Sequence, residues 1–497
     1  MRPELLARPD AGTGTAAVHE LLDAAAARPA ALAVRDDDGV WTYAQLREHS
    51  LHLACWLAGR GVVTGDRVVA RLPNARPLVA LLYAASRVGA ILVPISPQAG
   101  SRSLEAVLAD AEPVLMVDAL AVTPESAGPV PVCPASLMIE EAASGRPGGF
   151  PRAGRLAFIL YTSGSTAAPK GVMCSHSAVL FVVDAIVRRL GYTAADRVLC
   201  RIPLSFDYGL YQILLCAAVG AELQLTTGTD AALLQRLESW RATVVPIVPT
   251  LATGLSLLAG RGRRDTSVRL FTNTGAALLE GQAAALRRAF PGAAIALMYG
   301  MTECKRISIL EPDADLVIRG SVGRPLDGTT VTVVDEDGRE LGPGQPGQFV
   351  VRGPHLMDGY WRSPDATAER YRRTPDGDLA LFTGDFGTID KQGHLHLTGR
   401  RDAIFKRRDV RVSTIEIESA ALDVPGVRLA VALPPDGPRD LTLVVVGEAE
   451  PGDVLARLRG WLEPAKVPAR CVCLPDLPLT GNGKVDRTRL LDLLEER

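Results

Sequence analysis

From about residue 41 to residue 300, short apolar runs alternate with longer amphipathic ones. Arg67–Arg71, Ala90–Pro94, Val114–Val117, Leu156–Tyr161, Arg197–Ile202, Glu222–Leu225, Val244–Pro246, Leu270–Asn273 and Ala294–Met298 read as strands. Helical patterns at Ser177–Leu190, Leu210–Val219, Leu233–Trp240 and Glu280–Phe290 separate the later ones. A strand that returns parallel to its predecessor needs a crossover of about a dozen residues, usually a helix. The alternation therefore predicts an α/β fold with largely parallel sheets covered by helices. Trp41–Leu46 begins one such helix with Thr42 as its N-cap. Leu78–Ile95 is the most apolar stretch, but Arg87, Gly89 and Pro94 punctuate it, so it predicts a buried helix running into a strand, not a membrane span.

After residue 320 the texture changes to short strands with frequent Gly and Asp turns, at Thr330–Val334, Gly347–Arg352, Leu381–Thr383 and His394–Leu397. A smaller β subdomain is expected there. A charged knot, Gly399–Lys406, precedes a second α/β pattern, which sets a domain boundary near Asp402. With 497 residues the chain exceeds one ordinary core, consistent with a unit at 1–401 and another at 402–497. A formal net charge of −2 offers no field for nucleic acid or an anionic membrane. The eight cysteines are scattered and no signal peptide is visible, so a cytoplasmic protein is expected. Of 54 basic residues only Lys170, Lys305, Lys391, Lys406, Lys466 and Lys484 are lysine. Arginine is the default cation, so each lysine is informative as a compact ammonium.

Tyr161–Gly171 reads Y-T-S-G-S-T-A-A-P-K-G directly after an apolar strand. Small and hydroxylated residues leave backbone N–H groups open to a polyphosphate, although such composition also suits a surface turn. The stretch does not fit G-x-x-x-x-G-K-[ST], because Pro169 precedes the lysine. In doubly wound folds ligands bind beyond the carboxyl ends of the strands, which predicts that loops 162–171, 203–209, 274–277 and 299–306 share a cleft.

Taken in order, Tyr161–Gly171, Y-G-M-T-E at Tyr299–Glu303, T-G-D at Thr383–Asp385, G-R-x-D at Gly399–Asp402 and N-G-K at Asn482–Lys484 resemble the adenylate-forming superfamily. That family includes acyl-CoA synthetases, luciferases and nonribosomal peptide synthetase adenylation domains. G-A-I-L-V-P at Gly89–Pro94, Gly359–Tyr360 and E-I-E at Glu416–Glu418 extend the match over roughly residues 41–490. The resemblance implies a large N-terminal domain of mixed sheets flanked by helices plus a β subdomain, and a small mobile C-terminal α+β domain. It also implies two steps: a carboxylate attacks the α-phosphate of Mg-ATP to give an acyl-adenylate and pyrophosphate, and a nucleophile, commonly a thiol, then displaces AMP.

Residue by residue, the resemblance implies that Thr162, Ser163, Gly164, Ser165, Thr166 and Lys170 hold the outer phosphates. Gly275, Tyr299 and Gly300 border the nucleotide, with the Tyr299 ring against adenine. Thr302 donates to the α-phosphate and Glu303 ligates Mg²⁺. Asp385 accepts the ribose hydroxyls and Arg400 approaches ribose or phosphate. Asp402 is the hinge about which the small domain turns. Lys484 bridges carboxylate and α-phosphate as charge develops in the transition state.

The acid pocket is expected from Phe206, Asp207, Tyr208, Met298 and Lys305. Asp207 reads either as counter-ion to a substrate ammonium or as a helix N-cap. Tyr208 and Tyr211 shape an aryl-sized pocket or lie on the surface. Lys305 and Arg306 bind an anionic group or form an exposed basic pair. An aryl or amino acid is the expected substrate. The acceptor is CoA, the phosphopantetheine of a separate carrier protein, or a non-thiol nucleophile, nitrite-activating diazo formation included. Asp409 stands where the family usually has glycine, near the thiol channel, which weakens the thiol inference. A non-catalytic nucleotide-binding relative would have lost Lys170, Glu303, Asp385 or Lys484, and all four are present.

Overall fold

A computed structural model describes residues 16–119, 130–142, 150, 153–162, 169–260, 266–374, 377–400, 404–407, 410–437, 439–480 and 484–495. Ser163, Gly164, Ser165, Thr166, Asp402 and Asp409 lie outside the described residues.

Two sheets form the large part of the molecule. One has nine strands in the order Arg324–Pro325, Ser308–Ile309, Ala294–Tyr299, Leu270–Asn273, Val244–Ile247, Arg197–Cys200, Glu222–Leu225, Leu32–Asp36 and Gly39–Thr42. Its centre is parallel, with Val245 beside Phe271 and Phe271 beside Ile295. The other has six, in the order Val132–Pro134, Leu115–Asp118, Arg67–Arg71, Ile91–Pro94, Leu156–Thr162 and Lys170–Ser175. Parallel strands of this kind are buried on both faces, which explains why they read as unbroken apolar runs.

The helix Arg76–Val88 is buried along its whole length from Leu78 to Val88. The one charge in that buried stretch, Arg87, pairs with Asp23 at 2.7 Å and donates to Ser50. Gly89 ends it at φ 74°, where a β-carbon would also strike the Thr64 hydroxyl at 2.6 Å. Thr42 caps the helix Tyr43–Gly59, accepting from the N–H of Gln45, whose side chain returns the bond.

Two local expectations change. The strand Lys170–Ser175 runs antiparallel to Leu156–Thr162, with Thr162 opposite Lys170 and Tyr161 opposite Gly171. Thr162 and Lys170, at the described edges of the Ser/Thr-rich stretch, are therefore held opposite each other. The helix expected from Leu210 begins at Asp207, so Phe206 occupies the cap position and Asp207 is not the N-cap.

An antiparallel sheet of Thr330–Val334, Gly347–Arg352, Leu379–Ile389 and Tyr371–Arg373, with Leu395–Arg400 against Leu379–Ile389, makes the β subdomain. The last hundred residues or so fold as Val427–Leu433, Thr442–Gly447 and Arg470–Leu474 with helices Thr414–Leu422, Pro451–Trp461 and Arg487–Glu495. Among the described residues no helix is long and apolar enough to cross a membrane, and all eight cysteines are free thiols.

Candidate active site

Strands of a parallel sheet end together, and the loops that leave them open one cavity of about 1460 Å³. The β subdomain forms a second wall, and Lys484, Glu416 and Trp461 of the C-terminal part form a third. Thr162, Lys170, Phe206, Asp207, Gly275, Met298, Tyr299, Gly300, Thr302, Glu303, Lys305, Asp385, Arg400 and Lys484 all line it. Of the expected pocket residues described, Tyr208 and Tyr211 are set behind the wall; the Tyr208 hydroxyl donates to the Thr272 carbonyl at 2.6 Å.

On one side, charged groups are held by tyrosines. The Tyr299 hydroxyl donates to Asp385 at 2.5 Å, and the other carboxylate oxygen lies 3.6 Å from Arg400. Burial raises the Asp385 pKa, opposed by the tyrosine hydrogen bond and by the Arg400 and Arg370 charges. Gly384, at φ 73°, would place a β-carbon 2.8 Å from the Arg370 guanidinium, which donates to the Thr383 carbonyl at 2.5 Å. The Tyr360 hydroxyl donates to Glu303 at 2.6 Å, and the Lys170 ammonium lies 5.4 Å from the centre of the Tyr360 ring.

On the other side, charges are buried with fewer partners. Lys305 is 2% exposed, sits 3.3 Å from Asp207 and lies 4.4 Å from the centre of the Tyr211 ring. The contact with Asp207 is an ion pair by distance, but the ammonium has no aligned hydrogen-bond acceptor. Burial pushes the Lys305 pKa down to about 7, opposed by the Asp207 charge. Arg306, also 2% exposed, donates to the Thr274 hydroxyl and leaves its Nε unpartnered. Burial lowers its pKa as well. Lys305 and Arg306 are thus not an exposed pair, and Tyr208 and Tyr211 are not on the surface.

The backbone explains this inward turn. A β-carbon on Gly300 would lie 2.2 Å from the Lys305 carbonyl oxygen, so only glycine permits the chain to fold back there. Lys305 itself has φ 59°, a conformation that non-glycine residues rarely hold. Lys484 reaches in from the C-terminal part, its ammonium 5.2 Å from the centre of the Phe206 ring. Its side chain is open to the cavity, yet it sits deep in the cleft. Desolvation there lowers its pKa, partly opposed by the Asp207 carboxylate.

Among the described residues no group of three or more His, Cys, Asp or Glu forms a cage for a metal. Glu303 is one carboxylate with one oxygen taken by Tyr360, and it lines the same cavity as Thr162 and Lys170. That donor set fits Mg²⁺, which is typically held by one or two carboxylates together with substrate phosphates. Tyr360 and Arg370 also line the cavity and were passed over by motif reasoning, and only the G-Y pair at Gly359–Tyr360 signalled either of them.

A helix-covered parallel sheet, an opposed β subdomain and a lysine carried in from a third unit define an adenylate-forming ligase. The AMP-binding enzyme family matches residues 21–361, and the chain belongs to it. Feruloyl-CoA synthase of an Amycolatopsis species is 30% identical over 92% of this chain and 94% of that protein. CymA of Salinispora arenicola, named a probable non-canonical nonribosomal peptide synthetase, is 33% identical over 94% of this chain, which spans only 6% of CymA. The solved complex of VinN with L-aspartate is 40% identical with a TM-score of 0.72, covering 77% of this chain and 98% of VinN.

Proposed function

We propose that the enzyme activates a small acid bearing both an ammonium and a second carboxylate, an aspartate-like amino dicarboxylic acid. The product is an acyl-adenylate with release of pyrophosphate, and the acyl group then passes to the thiol of CoA or of a separate carrier protein. One observation carries the choice of acid: Asp207 and Lys305 lie 3.3 Å apart at the buried end of the cavity that Lys484 enters. Lys305 and Arg306 together outweigh the single carboxylate, so an ammonium on Asp207 leaves two buried cations in need of an anion. An uncharged aryl ring there would leave Asp207 to pair with Lys305 alone and Arg306 as a buried cation with no counter-charge, a costly arrangement. The L-aspartate bound in VinN, a relative at 40% identity, supports the same chemistry.

In this reading Lys484 neutralises the attacking carboxylate and the α-phosphate together. Thr302 donates to that phosphate. Lys170 and the loop from Thr162 through Ser163, Gly164, Ser165 and Thr166 take the departing pyrophosphate. Tyr299, Gly275 and Gly300 border the base, and Asp385 with Arg400 holds the ribose. Glu303 holds Mg²⁺, whose charge offsets that of the phosphates. Residues 402–497 move about Asp402 between the two steps.

The test is ATP- and acid-dependent pyrophosphate release. The panel comprises L-aspartate and homologues, monocarboxylic amino acids, amine-free dicarboxylic acids and aryl acids, each with and without CoA. Amino dicarboxylic acids should exceed the others about tenfold or more, the scale set by one or two desolvated charge contacts. Equal turnover of aryl acids would remove the substrate assignment.

A further inference from the structure

We propose that Tyr360 is a positioning residue. It orients the carboxylate of Glu303 for the metal and supports the ammonium of Lys170, so both phosphate-binding charges are set before ATP arrives. The inference rests on Glu303 being the metal ligand. Tyr360 is 4% exposed, and its hydroxyl occupies one Glu303 oxygen at 2.6 Å, which turns the carboxylate and leaves the other oxygen to a cation. Its ring lies beneath Lys170.

The backbone around it is fixed from both sides. Asp358 donates to the Met173 carbonyl at 3.0 Å, Met173 to that of Gly359 at 2.9 Å, and Trp361 to that of Gly171 at 2.7 Å. These bonds tie the segment to the strand that carries Lys170. On the Glu303 side, the Glu303 carbonyl accepts from the Met357 N–H at 2.9 Å and from the Tyr371 hydroxyl at 2.8 Å. The Tyr360 N–H donates to the Thr367 hydroxyl at 2.9 Å, and a β-carbon on Gly359 would lie 2.4 Å from the Thr367 methyl. Tyr360 therefore meets both charges with one side chain, on a backbone with little room to shift.

The experiment titrates Mn²⁺, as a spectroscopic substitute for Mg²⁺, onto enzyme carrying a non-hydrolysable ATP analogue, followed by electron paramagnetic resonance. Tyr360→Phe removes only the hydroxyl and should raise the Mn²⁺ dissociation constant about 5- to 20-fold, as expected for a lost hydrogen bond to a charged group. Metal-free analogue binding should stay within about twofold. Tyr360→Leu, which also removes the ring, should weaken metal-free analogue binding as well, because Lys170 loses its support. Unchanged Mn²⁺ affinity in Tyr360→Phe overturns the proposal. So does an equal loss of metal-free binding, which would mark a packing defect. Glu303→Gln separates the two readings: if it binds Mn²⁺ like the unaltered enzyme, the metal role of Glu303 fails first.

Discussion

The two ends of the cavity treat charge in opposite ways. At the nucleotide end Asp385 and Glu303 each receive a tyrosine hydroxyl, at 2.5 and 2.6 Å, and Arg400 remains largely open to solvent. At the proposed acid end Lys305 and Arg306 are buried; Lys305 has only the unaligned 3.3 Å ion pair with Asp207, and the Arg306 Nε has no acceptor. Satisfied groups rigidify a site that must accept the same nucleotide in every turnover. Unsatisfied buried charges are costly in the empty enzyme and favour whichever ligand supplies the missing partner, so selectivity is concentrated there. In the proposed function, the nucleotide end performs the shared chemistry and the acid end chooses what enters it.

The sharpest way to break this division is Lys484→Ala. If Lys484 acts on the charge that develops between the two ends, its loss should lower pyrophosphate release about 10²- to 10³-fold, the usual scale for one preorganised electrostatic group. The Michaelis constants for ATP and acid should change far less. A variant that keeps its turnover and loses only affinity would place Lys484 with the binding groups instead. Next in size, Lys305→Met or Arg306→Met should lower kcat/KM for an amino dicarboxylic acid about 100-fold, roughly the 3 kcal/mol of a truncated desolvated charge contact. The KM for ATP should hold. Comparable losses for ATP and acid would show that the two ends are not separate.

The same division explains what could be read from the chain. Tyr299, Glu303, Asp385, Arg400 and Lys484 stand in ordered motifs whose spacing is visible without a fold, and all line one cavity. The acid end resisted reading because its meaning is tertiary. Cys304–Lys305–Arg306 looks like an exposed basic turn until Gly300 lets the backbone double back, and Asp207 resembled a helix cap until the helix began one residue after Phe206. The strand Lys170–Ser175 was missed for a local reason: Lys170 and Gly171 are poor strand formers, and only pairing with Leu156–Thr162 holds them extended. Tyr360 was visible as half of a G-Y pair, but nothing in the sequence linked it to Glu303, fifty-seven positions away.

The smallest expected effect is the most specific to the acid end, because it depends on the protonation of one group. The Lys305 pKa falls from 10.5 in the unfolded chain to about 7 in the fold, chiefly through burial. Between those values the unfolded chain holds a proton that the folded chain has released, so the stability of the empty enzyme should rise with pH across that window. Below about pH 7 both states are protonated and the full cost of burying the charge is present. Binding runs the other way, since a substrate carboxylate needs the ammonium form. The KM for the amino dicarboxylic acid should therefore climb about 3- to 10-fold from pH 7 to pH 9, short of the roughly 50-fold rise of a complex that never released the proton, because the lysine also begins to titrate in the complex. Over the same range the KM for ATP should stay level, and Lys305→Met should abolish both the stability rise and the climb in acid KM. A flat acid KM beside a rising ATP KM would move the titrating lysine to the nucleotide end and invert the contrast between the two.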